Sequence, residues 1–301
     1  MTTRQHESER SSCSMKKIGF IGVGIMGKSM VRNLMKEGFE VHIYARHPEK
    51  VRDVVEEGAV LHDSIAACAA GRDAVITIVG YPKDVEEVYF QAGNLLDSAD
   101  KGTYLIDMTT TSPTLAERLY GEGTARGFHV LDAPVTGGDT GAKNGTLSIL
   151  VGGDEADYEA CLPLFRAMGT NLNYQGKAGC GQHAKMANQI MIAGTLSGVC
   201  EALTYARAKG LDLETLLRSV STGAAGSKQL DAFGPKILAG DYAPGFFLKH
   251  FVKDMKLAEA EAEESGLHLE VLRQALENYR ELEDAGFGDL GTQALMKHYE
   301  K

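Results

Sequence analysis

The sequence predicts an α/β protein: an N-terminal doubly wound, mainly parallel sheet, followed by an all-α C-terminal part, the two joined by one long helix. Three observations carry this. At residues 16–37 a short apolar run ends in a glycine and opens directly into a helical stretch. Further apolar runs then alternate with helix-like segments as far as about Gly179. Beyond that point strand patterns are almost absent and helical ones follow each other to the C-terminus. Alternation of short apolar runs with helices marks βαβ units with helices on both sheet faces.

The elements can be taken in order. Residues 16–22 form a buried parallel strand, since apolar residues run continuously there instead of alternating with polar ones. A helix follows from about Met26 to Glu37, with Gly38 placed to end it. Glu40–Ala45 reads as a strand and Pro48–Gly58 as a charged helix. Ala74–Val79, Tyr104–Met108, Val130–Ala133 and Leu147–Val151 are the next strands. Gly181–Lys209 contains no proline and would make roughly 40 Å of helix at the standard rise. Leu213–Val220, Gln229–Leu238, Phe251–Glu264, Leu269–Asp284 and Gln293–Tyr299 are all helix-like. The expected division is a polar, disordered extension at 1–14, an α/β domain at 15–179 and an all-helical domain at 180–301.

A chain of 301 residues exceeds a single average core, which agrees with two domains. Its formal charge of −10 and lack of a dense basic block argue against nucleic acid and anionic membrane as partners. Cys13, Cys68, Cys161, Cys180 and Cys200 show no paired spacing, so reduced thiols in a cytoplasmic compartment are expected and a metal site is not. No apolar run reaches the ~18–20 residues that span a bilayer. The first fourteen residues carry both signs of charge and lack the apolar core of a secretory signal.

Gly22-Val23-Gly24-Ile25-Met26-Gly27 has the spacing G-x-G-x-x-G, after a strand and before a helix. The first glycine allows the tight turn, the second lets backbone approach a pyrophosphate, and the third lets the helix pack on the strand. This reads as a Rossmann-type dinucleotide site, favoured by the strand before and the helix after, or else as a purely structural turn. The second strand decides between cofactors, because an NAD site places a carboxylate at its end for the ribose 2′-hydroxyl. Here the chain reads Tyr44-Ala45-Arg46-His47. Arg46 either forks onto a 2′-phosphate or is a solvated residue on the loop; the missing acid favours NADP(H), with NAD(H) possible.

Lys185, Asn188 and Gln189 share one face of the long helix among apolar neighbours. A lysine so placed loses hydration, its pKa falls, and it becomes fit for proton transfer. Alternatively the helix is simply amphipathic and Lys185 reaches water. Thr136-Gly137-Gly138 follows a strand and offers N–H groups and a hydroxyl to a carboxylate, or else forms a plain glycine-rich turn. Lys253-Asp254 reads, by itself, as an exposed pair near a helix start.

Taken together these segments resemble the β-hydroxyacid dehydrogenase family, which includes 3-hydroxyisobutyrate dehydrogenase, tartronate semialdehyde reductase and the glyoxylate and succinic semialdehyde reductases. The resemblance runs from about Lys16 to the C-terminus. It rests on residues 19–27, Ile106-Asp-Met-Thr-Thr110, Asp132-Ala-Pro-Val-Thr-Gly-Gly138, Gly145-Thr-Leu147, Lys185-Met-Ala-Asn-Gln189 and Lys253-Asp254, in that order. It implies a soluble NAD(P)-dependent homo-oligomer, dimer or tetramer, interconverting a small hydroxy acid and its semialdehyde. By the same resemblance Lys185 is the general acid and base, and Asn188, Thr136, Gly137 and Gly138 bind substrate. Gly22, Gly24, Ile25, Met26 and Gly27 cradle the pyrophosphate, Thr110 contacts the nicotinamide half and Lys253 reaches the cofactor from the helical domain, which makes 15–179 the nucleotide-binding domain and 180–301 the substrate and dimerisation domain. Two departures stand out: the family's usual serine is Thr136, and Lys228 follows Gly226-Ser227 where many relatives carry an aromatic residue. Lys228 raises the expectation of a dicarboxylic or phosphorylated substrate. An imine reductase-like enzyme and a non-catalytic NADP-binding sensor or scaffold are the alternatives.

Overall fold

A computed structural model of the chain describes residues 15–300; the extension expected at 1–14 lies outside the described residues. The sheet contains β1 (Lys17–Ile21), β2 (Glu40–Tyr44), β3 (Val60–His62), β4 (Ala74–Thr77), β5 (Tyr104–Asp107), β6 (His129–Asp132), β7 (Val135–Thr136), β8 (Leu147–Gly153) and β9 (Gly169–Gly176). Their order is β3-β2-β1-β4-β5-β6-β8-β7, with β9 on the other side of β8. β1 to β6 are mutually parallel where they pair. β8 runs antiparallel to β6 and β7 and parallel to β9.

Successive strand residues point to opposite faces, so each apolar dipeptide feeds two cores. Ile76, Ile106 and Leu131 pack with Met30, Leu34, Leu164 and Phe165 on one side. Val75, Leu105 and Val130 pack with Val85, Tyr89, Leu95 and Leu119 on the other. That is why the strands are continuously apolar and why the sheet is doubly wound. A separate core fills the helical half, where Leu196, Cys200 and Leu203 of the long helix meet Phe251, Met255, Leu276 and Tyr279.

The long helix spans Cys180–Ala208, close to the expected bounds. Gly38 sits just past the first helix with φ +87°, a conformation that costs glycine nothing. Elsewhere the structure departs from the sequence pattern. The Pro48–Gly58 segment is broken at Val51 (φ −116°) into a short 3₁₀ turn, Pro48–Lys50, and a helix, Arg52–Glu56. β3, β7 and β9 had no readable strand signal. β3 is an edge strand with Val60 and Leu61 exposed, β7 has two residues, and β9 is largely polar. The Leu248–Glu264 helix starts earlier than Phe251. Glu270–Leu282 gives way to a π-type turn, Glu283–Phe287, at Gly286 (φ +91°). The last segment divides into Thr292–Leu295 and Met296–Tyr299.

Register aligns the functional end of the sheet. Ile21 pairs with Thr77, Thr77 with Asp107, and Asp107 with Asp132. The loops leaving β1, β4, β5 and β6 therefore emerge in one row along the carboxyl edge, where open α/β sheets bind ligands.

Candidate active site

The glycine turn leaves β1 with Gly22 at φ +100°, and a Cβ there would collide with the Ile78 carbonyl. A Cβ on Gly27 would strike the Gly22 carbonyl and come within 3.3 Å of the Phe20 ring. Gly24 differs: an added Cβ would meet nothing within 4 Å. It stands at the start of the Ile25–Lys36 helix, whose first turn holds no acidic residue. Two glycines thus serve packing and one faces open space, which a pyrophosphate on the helix N-terminus fits. Ile25 is 58 % exposed and Met26 half-buried beside that space.

Arg46 lies just past β2, half-exposed, with one Nη donating to Asp84 at 3.0 Å and to Glu87 at 3.2 Å. Asp84 also accepts from the Tyr81 N–H, so the loop after β4 and the end of β2 are tied together.

Lys185 comes from the long helix and is buried. Its ammonium donates to the Val135 carbonyl at 2.8 Å, directly beside Thr136. Burial pushes its pKa down from 10.5 to about 8, with Asp254 opposing the shift and Lys253 assisting it. Gly137 and Gly138 follow with φ +128° and +64°, a backbone that turns successive N–H groups to one side as anion-holding concavities do.

On the same helix Asn188 donates to Gln189 at 2.7 Å, and Gln189 donates to Asp254 at 2.7 Å. Asp254 faces Lys253 at 2.9 Å, and Lys253 donates to the Thr110 carbonyl at 2.6 Å. Asp254 is 1 % exposed, so the pair is buried and not the exposed one its sequence suggested. Fixed charges of opposite sign must meet in this way once water is excluded. A cavity of about 320 Å³ opens nearby between Tyr81 and Lys249, Lys253 and Lys256 of the Leu248–Glu264 helix.

The structure therefore brings Thr136–Gly138, Lys185, Asn188, Lys253 and Thr110 together, with the glycine turn on the same sheet edge. Lys228, at the first turn of Lys228–Leu238, is exposed. Sequence reasoning gave no role to Gln182, Asp132, Asp107 or Asp254, all buried polar groups. Asp132 and Asp254 lie inside motifs already singled out; Gln182 carried no signal beyond standing one turn before Lys185.

A glycine turn on the same sheet edge as a buried lysine from the long helix is the arrangement of a nicotinamide-dependent dehydrogenase. A family model described as the NAD binding domain of 6-phosphogluconate dehydrogenase matches residues 17–176. A second, described as the NAD-binding of NADP-dependent 3-hydroxyisobutyrate dehydrogenase, matches residues 179–299. The uncharacterized oxidoreductase YkwC of Bacillus subtilis (strain 168) is 46 % identical, covering 95 % of this chain and 99 % of its own. The probable 3-hydroxyisobutyrate dehydrogenase-like 1, mitochondrial, of Arabidopsis thaliana is 45 % identical over 96 % of this chain and 86 % of its own. The structure of Mycobacterium tuberculosis 3-hydroxyisobutyrate dehydrogenase with L-serine superposes with a TM-score of 0.87 at 27 % identity, covering 96 % of this chain and 100 % of that one. The chain belongs to the 3-hydroxyisobutyrate dehydrogenase family, the NAD(P)-dependent oxidoreductases that act on the CH–OH group of small hydroxy acids.

Proposed function

We propose that this protein reduces the aldehyde of a small carboxylate-bearing semialdehyde, and runs the reverse oxidation, with Lys185 as the general acid and base. One observation carries the reading: a buried ammonium, its pKa lowered by burial, seated 2.8 Å from the carbonyl next to Thr136. Bound NADPH supplies the hydride. The Thr136 hydroxyl and the N–H groups of Gly137 and Gly138 hold the substrate carboxylate, which orients the carbonyl toward Lys185. Lys185 gives its proton to the oxygen as negative charge develops there and is left neutral. Asn188, its amide fixed by Gln189, offers a further hydrogen bond to substrate. Lys253, fixed between Asp254 and Thr110, sets the wall toward the nicotinamide. Holding both reactants in this geometry can supply several kcal/mol of the barrier.

NADP(H) is the favoured cofactor because Arg46 stands where an NAD site has a carboxylate. On this reading residues 15–179 form the cofactor unit and 180–301 the substrate and dimerisation unit. A homo-oligomer is supported by apolar side chains left exposed on the helical half, Met191, Tyr205, Leu267 and Val271. A reducing, cytoplasmic setting is supported by the free thiols of Cys68, Cys161, Cys180 and Cys200. Imine reduction and a non-catalytic scaffold are both less favoured, since neither needs the Lys185, Asn188 and Thr136–Gly138 set together.

The test is an initial-rate screen of NADPH and NADH against glyoxylate, succinic semialdehyde, tartronate semialdehyde and methylmalonate semialdehyde, repeated with Lys185→Ala. The variant is expected to lose roughly 100- to 10,000-fold in kcat/KM, the usual contribution of a positioned acid, while still binding cofactor. Undiminished turnover by Lys185→Ala would refute the assignment.

A further inference from the structure

The sheet and the long helix meet at a junction that the roles above do not use. Gln182 is fully buried one turn before Lys185. Its side-chain amide donates to the Thr109 carbonyl at 2.7 Å and accepts from the Thr111 N–H at 3.0 Å. These two peptide groups flank Thr110, whose own carbonyl takes the Lys253 ammonium. On the helix side, the Asp132 carboxylate accepts from the Gly179 and Gln182 N–H groups at 2.8 and 2.9 Å. Asp132 thereby caps the long helix from the end of β6, three residues before Val135. A third tie holds the same loop to the sheet: Asp107 accepts from the Thr109 N–H at 3.1 Å.

The junction is packed backbone to backbone. A Cβ on Gly181 would lie 2.5 Å from the Leu150 carbonyl and 2.8 Å from the Asp132 carboxylate. One on Gly152 would lie 2.6 Å from the Asp132 carboxylate and 2.7 Å from the Gly181 nitrogen. Such contacts leave the helix start no room to slide along the sheet edge. A planar amide presents a neutral donor and a neutral acceptor on two separate atoms, which suits a C=O and an N–H two residues apart.

We propose that Gln182 is a positioning residue that fixes the Lys185 amine relative to the Thr109–Thr111 loop, keeping the proton donor in register with the path of the hydride. The proposal rests on the roles given above to Lys185 and Thr110. It assigns Gln182 no contact with substrate. Its function is to make the turn of helix below Lys185 and the loop that takes the nicotinamide half into one rigid body, with Asp132 closing the other side.

The experiment compares Gln182→Met, Gln182→Glu and Lys185→Ala with the unmodified protein, using the fastest of the four carbonyl acids named above. The readouts are kcat, KM, NADPH affinity by fluorescence, the isotope effect with 4-deuterated NADPH, and thermal melting. Methionine removes both bonds at similar volume, and kcat is expected to fall about 10- to 100-fold, the scale of an ångström-sized misplacement. NADPH affinity should stay within about threefold and the isotope effect should rise as the chemical step slows. Glutamate restores both bonds when protonated, which full burial beside the Asp132 carboxylate favours. Its kcat should therefore recover several-fold as pH is lowered from about 8 to about 6, well beyond the roughly twofold rise that protonating Lys185 gives the unmodified protein over that range. A folded Gln182→Met with unchanged kcat and isotope effect overturns the proposal. If that variant does not fold, a Gln182→Glu profile parallel to the unmodified protein overturns it instead. Should Lys185→Ala turn over normally, the Lys185 assignment falls and takes this proposal with it; an inactive Lys185→Ala beside unaffected Gln182 variants removes this proposal alone.

Discussion

The glycine turn and the lysine cluster lie on one sheet edge but are built differently. The turn is backbone: three glycines within six residues, two forced by contacts of their own chain and one facing open space. The cluster is side chain: Lys185, Asn188, Lys253 and the Thr110 and Val135 carbonyls come from four separate segments and meet through hydrogen bonds across the two halves. A backbone site tolerates most neighbours but no Cβ in the wrong place. A side-chain site depends on partners far away in sequence, and on water being kept out.

The largest expected effect separates the two halves of that contrast. With Lys185 as the proposed general acid, its protonated amine would be the working form in the reducing direction, so turnover should fall as pH rises through about 8; the oxidation should rise over the same range. Stability has its own sign. Because the folded pKa is lowered from 10.5 to about 8, the folded state binds fewer protons than the unfolded one between those values. Burying Lys185 therefore costs stability below about 8, and the cost is relieved as pH rises toward 10.5. Lys185→Met should abolish most activity yet melt higher at pH 7, with the gain shrinking by pH 10; a melting point that drops equally at both pH values would contradict the account.

The glycines should split by cause. Gly22→Ala must hold an alanine at φ +100° against a carbonyl, costing at least about 1–3 kcal/mol, read as a lower melting temperature. Gly24→Val should melt normally and bind NADPH at least about tenfold more weakly, because its side chain fills the space a phosphate needs. Were Gly24→Val to bind NADPH unchanged, the pyrophosphate placement would have to move.

Arg46→Ala is a finer probe. Losing a guanidinium from a 2′-phosphate should shift the NADPH-to-NADH preference roughly 10- to 100-fold, in line with a charge-assisted contact of ~1.5–3 kcal/mol. If Arg46 serves only Asp84 and Glu87, both cofactors will respond alike. The smallest effect belongs to Arg32, whose guanidinium spans Asp53 and Glu57 on the surface. Arg32→Ala should cost no more than about 1 kcal/mol in denaturant unfolding, as exposed ion pairs do, and leave kinetics untouched.

Local pattern sufficed for much of this molecule. Continuous apolar runs at β1, β4 and β5 announced a sheet covered on both faces, and the glycine spacing after β1 announced the nucleotide turn. Lys185 was visible as a cation among apolar neighbours, although by itself that pattern fits an exposed amphipathic face better. β3 and β9 were illegible because edge strands are held by partners and carry exposed or polar residues. Asp254 looked exposed because nothing in its own segment reveals Gln189, which bonds it from the long helix, or the Thr110 carbonyl that holds the neighbouring Lys253.

The sequence by itself determined which backbone could form the dinucleotide turn, which runs would be strands, and where strands give way to helices, because period and steric freedom act over a few residues. Tertiary structure alone decided that Lys185 is desolvated, that Gln182 and Asp132 bind the helix start to the sheet, and that Lys253 reaches Thr110. Those outcomes depend on which distant groups exclude water and pair with one another, and burial is a property of the packed chain rather than of any residue's neighbours in sequence.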